Sequence, residues 1–199
     1  MLQMQVVFWL RKWLSVDVGA FTMSPIQKKI CLLGDFAVGK TSLVRRFIEG
    51  VFDDKYLSTI GARVSRKVLT VHGVPLTLLV WDLAGEEKFA RVMHSYYRGA
   101  AGAILVCDLT RAETFPSLKD YVQAFWGVNP RAPVVVVGNK VDLLEQRLIS
   151  DAELAEVAAE LNAFWLTSSA KTGENVQGLF EQLGGQLLDQ QNHIDGIKL

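Results

Sequence analysis

Eight residues limit this chain more than any other feature. Gly34-Asp35-Phe36-Ala37-Val38-Gly39-Lys40-Thr41 follow the spacing G-x-x-x-x-G-K-[ST]. Before them, residues 26–33 (IQKKICLL) end in a short apolar run closed by Gly34, which predicts a strand. After them, Leu43, Val44, Phe47 and Ile48 recur at helical spacing and Gly50 supplies a stop, which predicts a helix over 39–48. A strand, a glycine-bounded loop and a helix in that order form a cradle for an anion. The glycines let consecutive N–H groups turn inward, and the positive end of the helix dipole faces the same point. Lys40 can neutralise β- and γ-phosphate oxygens, and the Thr41 hydroxyl can ligate Mg²⁺. Asp35, Phe36, Ala37, Val38, Gly39, Lys40, Thr41 and Ser42 are therefore the expected phosphate contacts. The motif predicts an NTPase and leaves the base open.

The composition suits one α/β domain. The chain has 199 residues and half of them are hydrophobic, which excludes a disordered polymer and allows a full core. Lys+Arg and Asp+Glu are equal at 21 each, so no electrostatic footprint for nucleic acid exists, and none is expected as a partner. Cys31 and Cys107 both fall inside apolar runs, which argues against a disulfide framework and for a reducing, cytoplasmic setting. No apolar stretch runs the length of a membrane span without a charge, and the terminal Asp195-Gly196-Ile197-Lys198-Leu199 lacks a prenylation cysteine.

Strands and helices alternate from residue 26 to 190. Two β-rich runs, 62–71 and 74–81, flank His72-Gly73, a hairpin turn. The runs 101–107 and 133–138 are continuously apolar, as in central parallel strands covered on both faces. Phe115, Leu118, Val122 and Phe125 mark a helix between them. Ser150 and Glu153 form a capping box ahead of Leu154, Val157, Ala158 and Leu161. A short strand near 163–167 and a last helix carrying Val176, Leu179, Phe180, Leu183 and Leu187 complete the pattern, with Gly184-Gly185 as a weakness within it. The expected fold is a P-loop, doubly wound, mostly parallel six-stranded sheet with one antiparallel strand. The expected divisions are an apolar extension over 1–22, a domain over 23–190 and a tail over 191–199.

Asn139-Lys140-Val141-Asp142 stands at the carboxyl end of the 133–138 strand, where open α/β sheets bind ligands. A carboxylate at Asp142 can accept from guanine N1–H and its exocyclic amine, a pair adenine does not offer. Asn139 can tie this loop to the phosphate loop. Six stretches, GDFAVGKT (34–41), YLSTIG (56–61), WDLAGEE (81–87), YYRGAAGAILVCDLT (96–110), NKVD (139–142) and SSAK (168–171), make the chain resemble a small GTPase of the Ras superfamily, on its Rab-like branch. The resemblance covers about residues 26–188.

The resemblance implies a switch that binds GTP or GDP with Mg²⁺, hydrolyses GTP, and acts as a monomer on protein effectors and regulators at two switch loops. It implies Thr59 as the first switch threonine on Mg²⁺ and the γ-phosphate, and Tyr56 as an aromatic lid. Phe52 would meet the guanine edge, and Lys140 would lie along the ring face. The Ala170 N–H would meet guanine O6, held by Ser169 and Lys171. Thr41, Thr59 and Asp82 are the implied metal group, with Asp82 acting through water. Gly85 would sense the γ-phosphate, so Glu86, Lys40, Thr59 and Gly85 form the implied hydrolytic set.

Two positions depart from the family pattern. Glu86 stands where the family usually has glutamine. It adds negative charge beside a phosphate, a repulsion on the order of 4 kcal/mol at about 4 Å and an effective dielectric of about 20, which slows hydrolysis unless the side chain swings away or acts as a base. Phe36 stands where a small residue is usual, and either crowds the γ-phosphate or folds over the loop. Slow turnover is expected, and a module that holds GTP with little hydrolysis is the alternative. An adenine-specific ATPase fits Asp142 poorly.

The scattered His72, His94 and His193 show no metal or triad spacing. Arg63, Arg66 and Lys67 are read as either a solvated basic strand edge or a partner surface, and Trp81 as either a partner aromatic or packing. Arg45-Arg46 is read as the exposed side of the first helix. The apolar head, residues 4–18 within 1–22, has three readings: a poor signal peptide, an amphipathic membrane or partner helix, or an extension ahead of a start at Met23. Membrane association is left open.

Overall fold

The structure is a computed structural model that describes residues 26–53, 59–85 and 90–195. The head at 1–22, Tyr56 and Glu86 lie outside the described residues. β1 (Ile26–Leu33), β2 (Ala62–Val71), β3 (Val74–Leu83), β4 (Gly102–Asp108), β5 (Val134–Asn139) and β6 (Phe164–Ser168) form one six-stranded sheet, in the order β2-β3-β1-β4-β5-β6. Every neighbouring pair is parallel except β2 and β3, which are antiparallel. The helices are α1 (Lys40–Glu49), α2 (Ala90–Tyr97), α3 (Ser117–Trp126), α4 (Asp151–Glu160) and α5 (Val176–Asp195).

The apolar runs are continuous because both faces of the central strands are covered. Ile30, Leu32, Ile104, Val106, Val135 and Val137 face the layer of α1 and α5, where Phe47 and Phe180 stack at 3.7 Å. Cys31, Leu33, Ala103, Leu105, Val134 and Val136 face the other layer, against Tyr97, Leu118, Val122, Phe125 and Leu154. Both cysteines are free and fully buried, and burial pushes each thiol up to about 12, so neither is a nucleophile near neutral pH.

Local chemistry sets the element ends. His72 and Gly73, with φ of 50° and 79°, make the two-residue turn that matches strand twist, and Val71 pairs with Val74. Gly50 closes α1 in the left-handed region. Ser150 and Glu153 form the expected capping box at α4.

Three features differ from the expectations. Helix α2 has no counterpart among the predicted elements, because eight residues carry too short an apolar period. α5 continues to Asp195, past residue 190 where the expected alternation of strands and helices ends. Gly184 and Gly185 do more than weaken α5. A Cβ on Gly184 would stand 3.1 Å from both Leu76 Cδ2 and Val71 Cγ2, and one on Gly185 would stand 3.3 Å from His72 Cε1. The glycine pair lets the β2–β3 hairpin approach the helix.

The strand order reverses beside β1, between β3 and β4. Loops leaving the carboxyl ends of β1, β3, β5 and β6 therefore meet over one crevice, the usual ligand position of such sheets.

Candidate functional site

That crevice is a cleft of about 780 Å³. Its lining includes Phe36, Ala37, Gly39, Lys40, Thr41 and Ser42 from the first loop and helix, Phe52, Thr59 and Gly85 from the next two segments, and Asn139, Lys140, Asp142, Ala170 and Lys171 from the far end. Of the expected contacts within the described residues, Asp35, Val38, Asp82 and Ser169 stand behind this lining. Val38 is fully buried among core residues. A cleft of this size suits one nucleotide-sized ligand.

At one end, α1 begins with Gly39 in the left-handed region and no side-chain cap, so its first amides are available to an anion. Lys40 is 6% exposed, and its ammonium donates to the carbonyls of Gly34 at 2.6 Å and Asp35 at 2.7 Å. Burial pulls the Lys40 ammonium down to about 8, against the opposing pull of the Asp82 and Asp35 carboxylates. Ala37 has φ of 63°, a left-handed conformation rare outside glycine that shapes the loop.

The loop is braced from outside. Ser117 Oγ donates to Asp35 Oδ2 at 2.6 Å, and Arg111 donates to the Phe36 carbonyl at 2.9 Å. Gly85 presses on the same loop: a Cβ there would lie 2.4 Å from the Asp35 carbonyl carbon. Phe36 is 41% exposed and lines the cleft, so its ring stands at the rim.

Behind the loop, Thr41 Oγ donates to Asp82 Oδ2 at 2.6 Å and lies 2.8 Å from Thr59 Oγ. Asp82 is 1% exposed, and its Oδ1 has no hydrogen-bond partner among the described residues. Burial raises the Asp82 carboxyl, opposed by the Thr41 hydroxyl and by Lys40 and Arg63. A buried carboxylate oxygen without a donor is costly. Two hydroxyls and a carboxylate are hard oxygen donors, the set that suits Mg²⁺, so the residues present fit that ion. No group of three or more His, Cys, Asp or Glu side chains among the described residues could hold a metal.

At the other end, Asn139 is 1% exposed and its Nδ2 donates to the Val38 carbonyl at 2.8 Å, joining the two ends of the cleft. A Cβ on Gly39 would lie 2.2 Å from that nitrogen, so the glycine makes the junction possible. Ser169 Oγ donates to Asp142 Oδ1 at 2.6 Å and so holds the carboxylate. The Ala170 N–H, expected to meet guanine O6, donates to Asn139 Oδ1 over a long 3.3 Å, a bond that can be shared with a second acceptor.

Some contributors escaped the sequence reading. Asp108 is fully buried; it pairs with Lys140 Nζ at 2.6 Å and accepts from the Thr110 N–H and hydroxyl. Its signal was a charge closing an otherwise apolar run. Ser117 and Arg111 offered none, since their partners lie far away in sequence. The reading of Arg46 as merely the exposed side of α1 is corrected. It is half-buried and donates to the carbonyls of Ala170, Lys171 and Gly50, because the last loop folds back against α1. Arg45 pairs with Glu49 and Asp53.

The other minor candidates are also placed. Arg63 pairs with Glu49, while Lys67 donates to the Phe47 carbonyl with its ammonium 4.3 Å above that ring. Trp81 is half-buried, with the Lys29 ammonium 3.9 Å from its ring centroid and Tyr96 beside it.

A phosphate-type loop, a hydroxyl–carboxylate cluster behind it and a far carboxylate on one doubly wound sheet define a P-loop nucleotide-binding protein. The Ras family model matches residues 29–189, and the chain belongs to that family of small GTP-binding proteins. Its similarities run to Rab-related members. It is 36% identical over 164 residues to Ras-related protein RabJ of Dictyostelium discoideum, covering 82% of this chain and 64% of that protein. It is 38% identical over 160 residues to Ras-related protein Rab-22A of Homo sapiens, covering 80% of this chain and 82% of that protein. It is 43% identical over 168 residues to Ras-related protein RABC2a of Arabidopsis thaliana, covering 81% of this chain and 78% of that protein. The chain thus spans just under two thirds of the RabJ length.

Proposed function

We propose that residues 23–190 form a molecular switch that binds GTP or GDP with Mg²⁺ and turns GTP over slowly. The observation that carries this reading is the Asp142 carboxylate at the far end of the cleft, held by Ser169 and tied through Asn139 to the phosphate loop. A fixed carboxylate accepts from guanine N1–H and the 2-amino group, and would be left unpaired by adenine.

The roles follow from position. Lys40 and the first amides of α1 take the phosphates. Ala37 and Gly39 let the loop wrap them, with Asp35, Val38 and Ser42 completing it. Asp108 holds Lys140, which lies along the base, and Phe52 meets its edge. Thr41 and Thr59, with Asp82 through water, would hold Mg²⁺, which when bound supplies charge neutralisation to the phosphate oxygens. Thr59 and Gly85 respond to the γ-phosphate, and the segments around them order or relax with the nucleotide, which partners read. Water attacks the γ-phosphoryl group, and the protein contributes positioning and charge stabilisation.

Glu86 cannot donate to the γ-phosphate as a glutamine amide would, and Phe36 at the rim crowds the approach of a partner's arginine. Single-turnover hydrolysis on the purified protein tests this. Glu86→Gln and Phe36→Gly should each speed it; no change in either defeats the explanation. Guanine binding without measurable hydrolysis in the wild type would identify a module that holds GTP. The monomer acts on protein effectors and regulators in the cytoplasm, a reading that two buried free thiols support. None of the helices described is long and apolar enough to cross a membrane.

A further inference from the structure

The geometry points to Arg46 as a positioning residue for base selection: its guanidinium holds Ala170 and Lys171 in place against the base. This rests on the reading of the cleft as a guanine nucleotide site.

Arg46 lies on α1, 124 positions before its partner Ala170. Its Nε donates to the Ala170 carbonyl at 3.1 Å, one terminal nitrogen donates to the Lys171 carbonyl, and the other donates to the Gly50 carbonyl at 2.8 Å. Three groups of the fork are thus spent on backbone acceptors, two of them in the turn that faces the base. Such charge-assisted bonds are roughly twice as strong as neutral ones, and the rigid fork fixes angle as well as distance.

A second observation agrees. Gly173, at φ of 91°, closes this turn, and a Cβ there would stand 3.3 Å from Arg46 Nε. The loop is shaped around the guanidinium. A peptide unit pinned at its carbonyl has its opposite N–H fixed in direction, because the unit is planar. By holding the Ala170 and Lys171 carbonyls, Arg46 constrains these two residues and the peptide units that follow them. Ala170, whose N–H is the expected donor to the 6-oxo group, is held through its own carbonyl, whereas Ser169, which grips Asp142, is held by Thr172, Gly173 and Glu174.

Two analogues separate the contacts. 6-Thio-GDP changes only the acceptor that the turn should meet. IDP lacks the 2-amino group and so reads Asp142. Affinities of the full-length protein for GDP, 6-thio-GDP, IDP and ADP are measured by displacement of labelled GDP. The wild type should prefer GDP to all three. Arg46→Ala should lose about tenfold in GDP affinity. Its GDP to 6-thio-GDP ratio should fall towards one, while its GDP to IDP ratio holds. Arg46→Lys, which keeps the charge without the fork, should fall between. A folded Arg46→Ala with wild-type ratios, or with both ratios reduced alike, overturns the inference alone. If Arg46→Ala does not fold, Arg46→Lys decides on the same ratios, and wild-type values there overturn it. A wild type with no preference for GDP over ADP overturns the guanine reading and this inference together.

Discussion

Lys40 shows how one side chain carries both a cost and a function. Burial lowers its ammonium from the ordinary 10.5 to about 8. In the unfolded chain the same group keeps its ordinary value. Between about 8 and 10.5 the unfolded state therefore binds more protons, and this group's contribution to stability improves as pH rises through that window. Below it, the folded protein carries the full cost of a buried cation. A polyphosphate beside Lys40 stabilises the charged form and raises its pKa. GDP binding at pH about 8.5 should then take up protons, and at pH about 7 it should not. Calorimetry in two buffers of different ionisation heat measures this uptake, which Lys40→Met should abolish. Gly85 and Gly39 sit at the same scale. Each is set so close to a neighbour that the cleft has no room for a Cβ.

At the scale of elements, α5 contains glycines with opposite meanings. Gly178 is exposed, and a Cβ there would meet nothing within 4 Å. Gly178→Ala should stabilise the protein by about 0.5–1 kcal/mol through helix propensity alone. Gly184 faces Leu76 and Val71, which are buried and cannot withdraw. Gly184→Leu, with equally good propensity, should destabilise by about 1–3 kcal/mol through overpacking. Urea unfolding of the two variants tests the contrast; the same sign for both would mean that the hairpin does not rest on the helix as described.

At the scale of the whole molecule, ligand and fold are linked. The cleft is walled by loops from β1, β3, β5 and β6 and by α1, so a bound nucleotide bridges much of the sheet. A ligand that binds only the folded state, at about 100 times its Kd, adds about 2.7 kcal/mol. For a domain of this size that corresponds to a rise in Tm of about 5–10 °C. GDP with Mg²⁺ should produce this shift and ADP should not; thermal melts with each nucleotide check it. A comparable shift with ADP would remove Asp142 from its role in selection.

The sequence alone determined the sheet class, the strand–loop–helix cradle and the far carboxylate, because each is written in local spacing or in an unbroken apolar run. It missed α2, whose apolar period is too short to stand out. What only the tertiary structure decided is the set of braces: Arg46 on the last loop, Asp108 on Lys140, Ser117 on Asp35, and Gly184 under the hairpin. Each joins positions far apart in sequence, so no local pattern encodes it. The fold brings them together because strand order reverses beside β1 and gathers the loops after β1, β3, β5 and β6 over one crevice.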